Sequence, residues 1–118
     1  MDFIRMIDYI RPRFFIMENV KGIMSAPLKH IPLAERDKND SEQQLGTVLA
    51  VILSEFGKLG YKTVYGLLDA VNYGVSQFRE RFVLIGSRDN EDIFLPFPTH
   101  FQMHQDPQYR WRTLNDTI

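Results

Sequence analysis

Phe3, Ile4, Ile7 and Ile10 fall at helical spacing, which predicts a helix over residues 2–10. Pro12 cannot continue that helix, and it biases Arg11 towards an extended backbone. The run Phe14–Met17 is apolar without alternation. It predicts a strand buried on both faces, as in a parallel sheet. The run ends on Glu18 and Asn19, a carboxylate and an amide. From Ala26 to Gln44 the chain is polar, holds Pro27 and Pro32, and reads as an exposed loop. Apolar positions then recur at 45, 48, 49, 52, 56 and 59, an amphipathic helix with Gly60 placed to cap it. Residues 61–69 and 81–88 predict the second and third strands.

Helix, strand, helix, strand, strand is a fragment of an α/β layered fold. About a dozen residues join the second and third strands. A parallel crossover usually needs at least that many and a helix, so antiparallel pairing is expected. From Pro96 onward prolines, aromatics, His100 and His104 follow no period, which suggests a connector.

Composition narrows the function classes. Across 118 residues, 14 basic side chains nearly balance 15 acidic ones, unlike a free-standing charge-driven nucleic-acid binder. The chain has no cysteine, so it holds no disulfide, thiolate zinc site or thiol nucleophile of its own. No apolar stretch is long enough to span a bilayer, and the N-terminus is unlike a signal peptide. An intracellular setting and no membrane partner are expected.

Polar residues gather at the strand ends. Glu18 and Asn19 follow the first strand, and Gln77, Arg79 and Arg81 lead into the third. If the third strand runs antiparallel beside the first, Glu18 and the Gln77/Arg79/Arg81 set converge. Those three alternate, so an extended backbone puts them on one face. A carboxylate facing forked guanidinium donors is a recognition geometry. It is also the geometry of a structural ion pair, the reading that the pattern alone favours somewhat. His100 and His104 are four apart, but without a third ligand they read as loop residues and no metal is expected.

"RPRFFIMENVKGIMS" (11–25) resembles the Glu-Asn-Val motif of the DNA (cytosine-5) methyltransferases. "LLDAVNYGVSQFRERFVLIGSR" (67–88) is similar to the next two motifs of that family, with Ser76 where the family usually has proline. The resemblance covers essentially the whole chain. It implies the C-terminal part of a Rossmann-like methyltransferase sheet, with the third strand between the other two. Residues 1–95 would be part of the catalytic domain, and 96–118 a connector towards a target-recognition domain.

The implied activity is methyl transfer from S-adenosylmethionine to C5 of a cytosine flipped out of double-stranded DNA. Glu18 would bind the base at N3 and its exocyclic amine. Arg81 and Arg79 would hold its O2 and a neighbouring phosphate, with Asn19, Val20 and Gln77 in support. In the family a cysteine upstream of this segment attacks C6. The glycine-rich cofactor loop is also upstream, and the last cofactor motif lies downstream. The chain is thus expected to be the middle of such an enzyme, and its cofactor-binding residues are unknown. Its partners would be the remaining catalytic half and the target-recognition domain. Alone it would be inactive, bind the cofactor weakly or not at all, and self-associate. The alternative is a non-catalytic subunit or module of a split or degenerate methyltransferase.

Overall fold

A computed structural model describes residues 2–20, 22 and 46–117. Its elements run α1 (Asp2–Ile10), β1 (Phe14–Val20), α2 (Thr47–Lys58), β2 (Lys62–Asp69), β3 (Glu80–Ser87) and a short α3 (Leu114–Thr117). The sheet has order β1-β3-β2, and both pairings are antiparallel. It is a small α/β unit with α1 and α2 packed on one side of the sheet. The polar stretch 26–44 and Leu45 lie outside the described residues.

The period of α1 decides its packing only in part. Ile7 is buried and Phe3 and Ile4 are half-buried, while Ile10 is exposed. Arg11 departs from the extended backbone that Pro12 favours, with φ +52°. The cause is the helix end: the Arg11 N–H donates to the Ile7 carbonyl at 2.8 Å, a left-handed cap that satisfies an otherwise orphaned acceptor. The Arg11 side chain then spans to the Leu59 carbonyl, 2.6 Å away. At the end of α2, Gly60 takes φ +87° and donates to the Gly57 carbonyl, while Tyr61 donates to that of Phe56. That pair of bonds is a Schellman cap, and the left-handed φ is why glycine stands there.

Register places alternate residues on opposite faces. Phe15, Met17, Leu84 and Phe82 face the helices; Phe82 and Leu84 are fully buried against a cluster that includes Ile52, Phe56 and Tyr61. The Phe15 ring lies 4.6 Å from Phe56 and 5.1 Å from Tyr61, centroid to centroid. Phe15 stands opposite Gly86, where a Cβ would come within 2.1 Å of its ring. Gly86 thus makes room for the aromatic across the ladder.

β1 is not buried on both faces as its apolar run suggested. Phe15 is 7% exposed, but its neighbours Phe14 and Ile16 are 43% and 67% exposed. The strand also continues past Met17 to Val20, so Glu18 and Asn19 sit inside it. The physical reason is sheet order: β1 is an edge strand in an antiparallel sheet with helices on one side. The other face is partly covered by the chain after β3. There Leu95 lies so close over Gly66 that a Cβ would meet its Cδ1 at 2.7 Å, and buried Ser87 accepts the Glu91 N–H. Arg13–Glu91 and Lys62–Asp92 ion pairs, at 2.6 and 3.2 Å, pin that segment at the surface.

Candidate functional site

Glu18 stands opposite Val83, and Arg81 opposite Val20, so Glu18 and Arg81 are diagonal neighbours on the open face. Antiparallel pairing brings the start of β3 to the end of β1, as the strand-end clustering predicted. The side chains meet, with Arg81 Nε 3.2 Å from a Glu18 carboxylate oxygen. Both remain reachable from solvent, the Arg81 side chain 30% and the Glu18 side chain 57% exposed. Arg81 also donates to the Glu80 carbonyl at 2.8 Å, which fixes one arm of its fork.

Of the remaining predicted site residues, Asn19, Gln77 and Arg79 do not share that face. Asn19 is paired with Phe82 on the helix side of the sheet, and Val20 contributes its register position opposite Arg81. Gln77 and Arg79 precede β3, which begins at Glu80, so the alternation of Gln77, Arg79 and Arg81 is not that of one strand. Asp69 explains the break. Its carboxylate accepts the Val71 N–H at 3.3 Å and the Arg79 N–H at 2.9 Å. Ala70 donates to the Arg79 carbonyl at 3.1 Å, and the ladder ends at Asp69↔Glu80. The residues between form a 3-10 turn (Ala70–Tyr73) and a loop that presents Gln77 and Arg79 to solvent. Gln77 lines a cavity of about 200 Å³ together with Val71, Phe78, Trp111 and Arg112.

Two residues organise this loop: Asn72, which lies inside the motif-like segment 67–88 and follows the second strand, and Trp111, which no motif or period singled out. Trp111 Nε1 donates to Asn72 Oδ1 at 3.0 Å, and the Asn72 carbonyl accepts from Thr99 and His100 N–H, both at 2.9 Å. The tail was expected to be a connector without period, and no sequence signal marked Trp111 as its anchor. His100 and His104 are spent locally. The His100 ring sits over Gly74 and bonds Thr99 Oγ1 at 2.8 Å, and His104 packs against Phe101 and Tyr109. Among the described residues, no group of three His, Asp or Glu side chains is placed to hold a metal.

A family model described as C-5 cytosine-specific DNA methylase matches residues 1–118, and the chain belongs to that family. It is 32% identical over 99 residues to the Type II methyltransferase M1.HphI of Haemophilus parahaemolyticus, covering 84% of this chain and 22% of that protein. It is 30% identical over 116 residues to M.BspRI of Lysinibacillus sphaericus, covering 98% and 23%. With M.AquIA of a Picosynechococcus species it shares 30% over 109 residues, covering 92% and 40%. The chain therefore spans only about a fifth to two-fifths of the length of these relatives.

Proposed function

We propose that this chain is the base-reading part of a DNA (cytosine-5) methyltransferase, a segment of its Rossmann-like sheet, with Glu18 and Arg81 holding a flipped cytosine. The observation that carries the reading is the solvent-reachable Glu18–Arg81 pair, 3.2 Å apart on the open face of the sheet. A carboxyl group and a guanidinium side by side match the edge of cytosine. Glu18 takes N3 and the exocyclic amine, and Arg81 donates to O2. Proton donation from Glu18 to N3 as a nucleophile adds at C6 is general acid catalysis. Arg79, in the loop closed by Asp69, serves a neighbouring DNA phosphate, and Gln77, Asn19 and Val20 support the pocket.

The nucleophile is not in this chain, which has no cysteine. The methyl group would come from S-adenosylmethionine, and the described residues do not fit that molecule. The glycines with left-handed φ, Gly46, Gly60 and Gly74, cap helices or turns, and Gly74 is closed by the His100 ring. The chain alone transfers no methyl group, and its partners in catalysis are duplex DNA and the parts of the enzyme that supply the thiol, the cofactor loop and target recognition.

A chimera tests this. The matched 116-residue segment of M.BspRI is replaced by that of this chain, and tritiated methyl transfer to duplex DNA is measured. The chimera should transfer label, and Glu18→Gln should slow it on the order of a hundredfold. A Glu18→Gln chimera as fast as its parent would return Glu18 to a structural ion pair.

The open strand supports a second expectation. The edge of β1, with Phe14 and Ile16 exposed, is a template for a second copy of the isolated chain. Sedimentation velocity over a dilution series should show association that Ile16→Lys weakens. A monomer at every micromolar concentration would sink the expectation.

A further inference from the structure

The loop that carries Gln77 and Arg79 is fastened to the tail at successive positions. Asn72 accepts from Thr99, His100 and Trp111. The Tyr73 hydroxyl donates to the Pro96 carbonyl at 2.8 Å. Gly74, at φ +96°, lies under the His100 ring, where a Cβ would come within 2.9 Å of the ring. Ser76 Oγ meets Thr117 Oγ1 at 3.2 Å. The Phe78 and Trp111 rings meet edge to face, 5.3 Å apart. On its other side the same loop is closed by Asp69, through the Arg79 N–H.

We infer that Asn72 and Trp111 are positioning residues: through them the tail sets the place of Gln77 and Arg79 in the loop that leads into β3, the strand that carries Arg81. The Asn72 side-chain carbonyl is the hinge pin, because it is half-buried and takes the indole N–H that orients Trp111. Trp111 in turn braces Phe78, the residue between Gln77 and Arg79. Displacement of the tail would move the two polar side chains while leaving the ladder of β1, β3 and β2 intact. The functional meaning rests on the proposed roles of Gln77 in supporting the base pocket and of Arg79 at a DNA phosphate; the mechanical coupling does not.

The chain has a single tryptophan, so its emission reports on the tail alone. Amide spectra and hydrogen exchange of the 118-residue chain report on the loop. Asn72→Leu, which keeps the size and removes the acceptor, should shift Trp111 emission to the red. It should also move the Gln77 and Phe78 amide signals and cut Arg79 amide protection roughly tenfold, with the β3 amides unchanged. Asn72→Asp keeps an acceptor for the indole and should restore all three. If Asn72→Leu does not fold, Trp111→Phe decides, since it keeps an aromatic ring against Phe78 and deletes only the N–H. Its loop amides should move as in Asn72→Leu. Released tryptophan with unmoved Gln77–Arg79 signals overturns the coupling, as do unmoved loop signals in a folded Trp111→Phe. In the M.BspRI chimera, Asn72→Leu should lower methyl transfer and Asn72→Asp restore it. Moved loop amides with no active chimera would count against the proposed function and leave the coupling standing. An active chimera with unmoved amides would do the reverse.

Discussion

On the helix side of the sheet Phe82, Leu84 and Phe56 are fully buried, whereas on the other side Phe14 and Ile16 stand 43% and 67% exposed. Both sets sit in or against the same short strands, and Phe15 and Ile16 are adjacent in sequence. The difference is what each face packs against. One meets α1 and α2 and interlocking aromatic rings. The other meets a short extended segment, with Leu95 over Gly66 and ion pairs at the rim. Stability lives on the first face and the candidate chemistry on the second. The Glu18 carboxylate and Arg81 guanidinium remain available to a ligand because their side chains are 57% and 30% exposed.

The contrast breaks most readily in the core. Phe56→Ala should cost about 3–5 kcal/mol, enough to unfold much of the chain, while Ile16→Ala on the open face should stay within about 1 kcal/mol. Urea midpoints of the two variants decide this, and equal midpoints would show that the faces are not energetically distinct.

A smaller effect separates the faces at one cross-strand contact. Gly86→Ala pushes a methyl group into the Phe15 ring on the helix side and should cost about 1–3 kcal/mol through overpacking. Gly57→Ala, in α2, meets nothing within 4 Å and should be neutral or slightly stabilising. Thermal unfolding of the pair is the comparison, and a Gly86→Ala chain as stable as Gly57→Ala would mean that Phe15 has room to step aside.

The smallest effect sharpens the contrast from outside the sheet, in the tail. The Asp116 carboxylate accepts the Thr113 N–H at 2.6 Å and its hydroxyl at 2.9 Å, one half of a capping box at the start of α3. The Thr113 N–H bond, then the hydroxyl bond, hold the Asp116 carboxyl below its ordinary value. A lowered folded-state value means that the stabilisation is full above the ordinary carboxylate range and is lost as pH falls through the folded value. Acidification should therefore fray α3 before it touches the sheet. A carboxyl-carbon NMR titration of Asp116, followed alongside the Thr113 amide, should show both moving together below the ordinary carboxylate range. A Thr113 amide indifferent to that titration would remove the cap from the account.

Periodicity in the sequence was enough to find α1, α2 and all three strands, because helix and strand repeats are local. The short link between β2 and β3 was enough to orient them. The two motif segments pointed to Glu18 and Arg81 before either had a position, and antiparallel pairing then put them on one face. What the tertiary structure alone decided was non-local. An apolar run cannot say whether a strand is central or an edge, so burial on both faces of β1 was misread. Alternation of Gln77, Arg79 and Arg81 could not foresee that Asp69 closes the loop before the strand begins. Proline's bias at Arg11 yielded to a helix end that needed a donor. The Asn72–Trp111 bond joins residues 39 apart through one donor and one acceptor. Such a contact leaves no period in the chain, and only the folded backbone brings its two ends together.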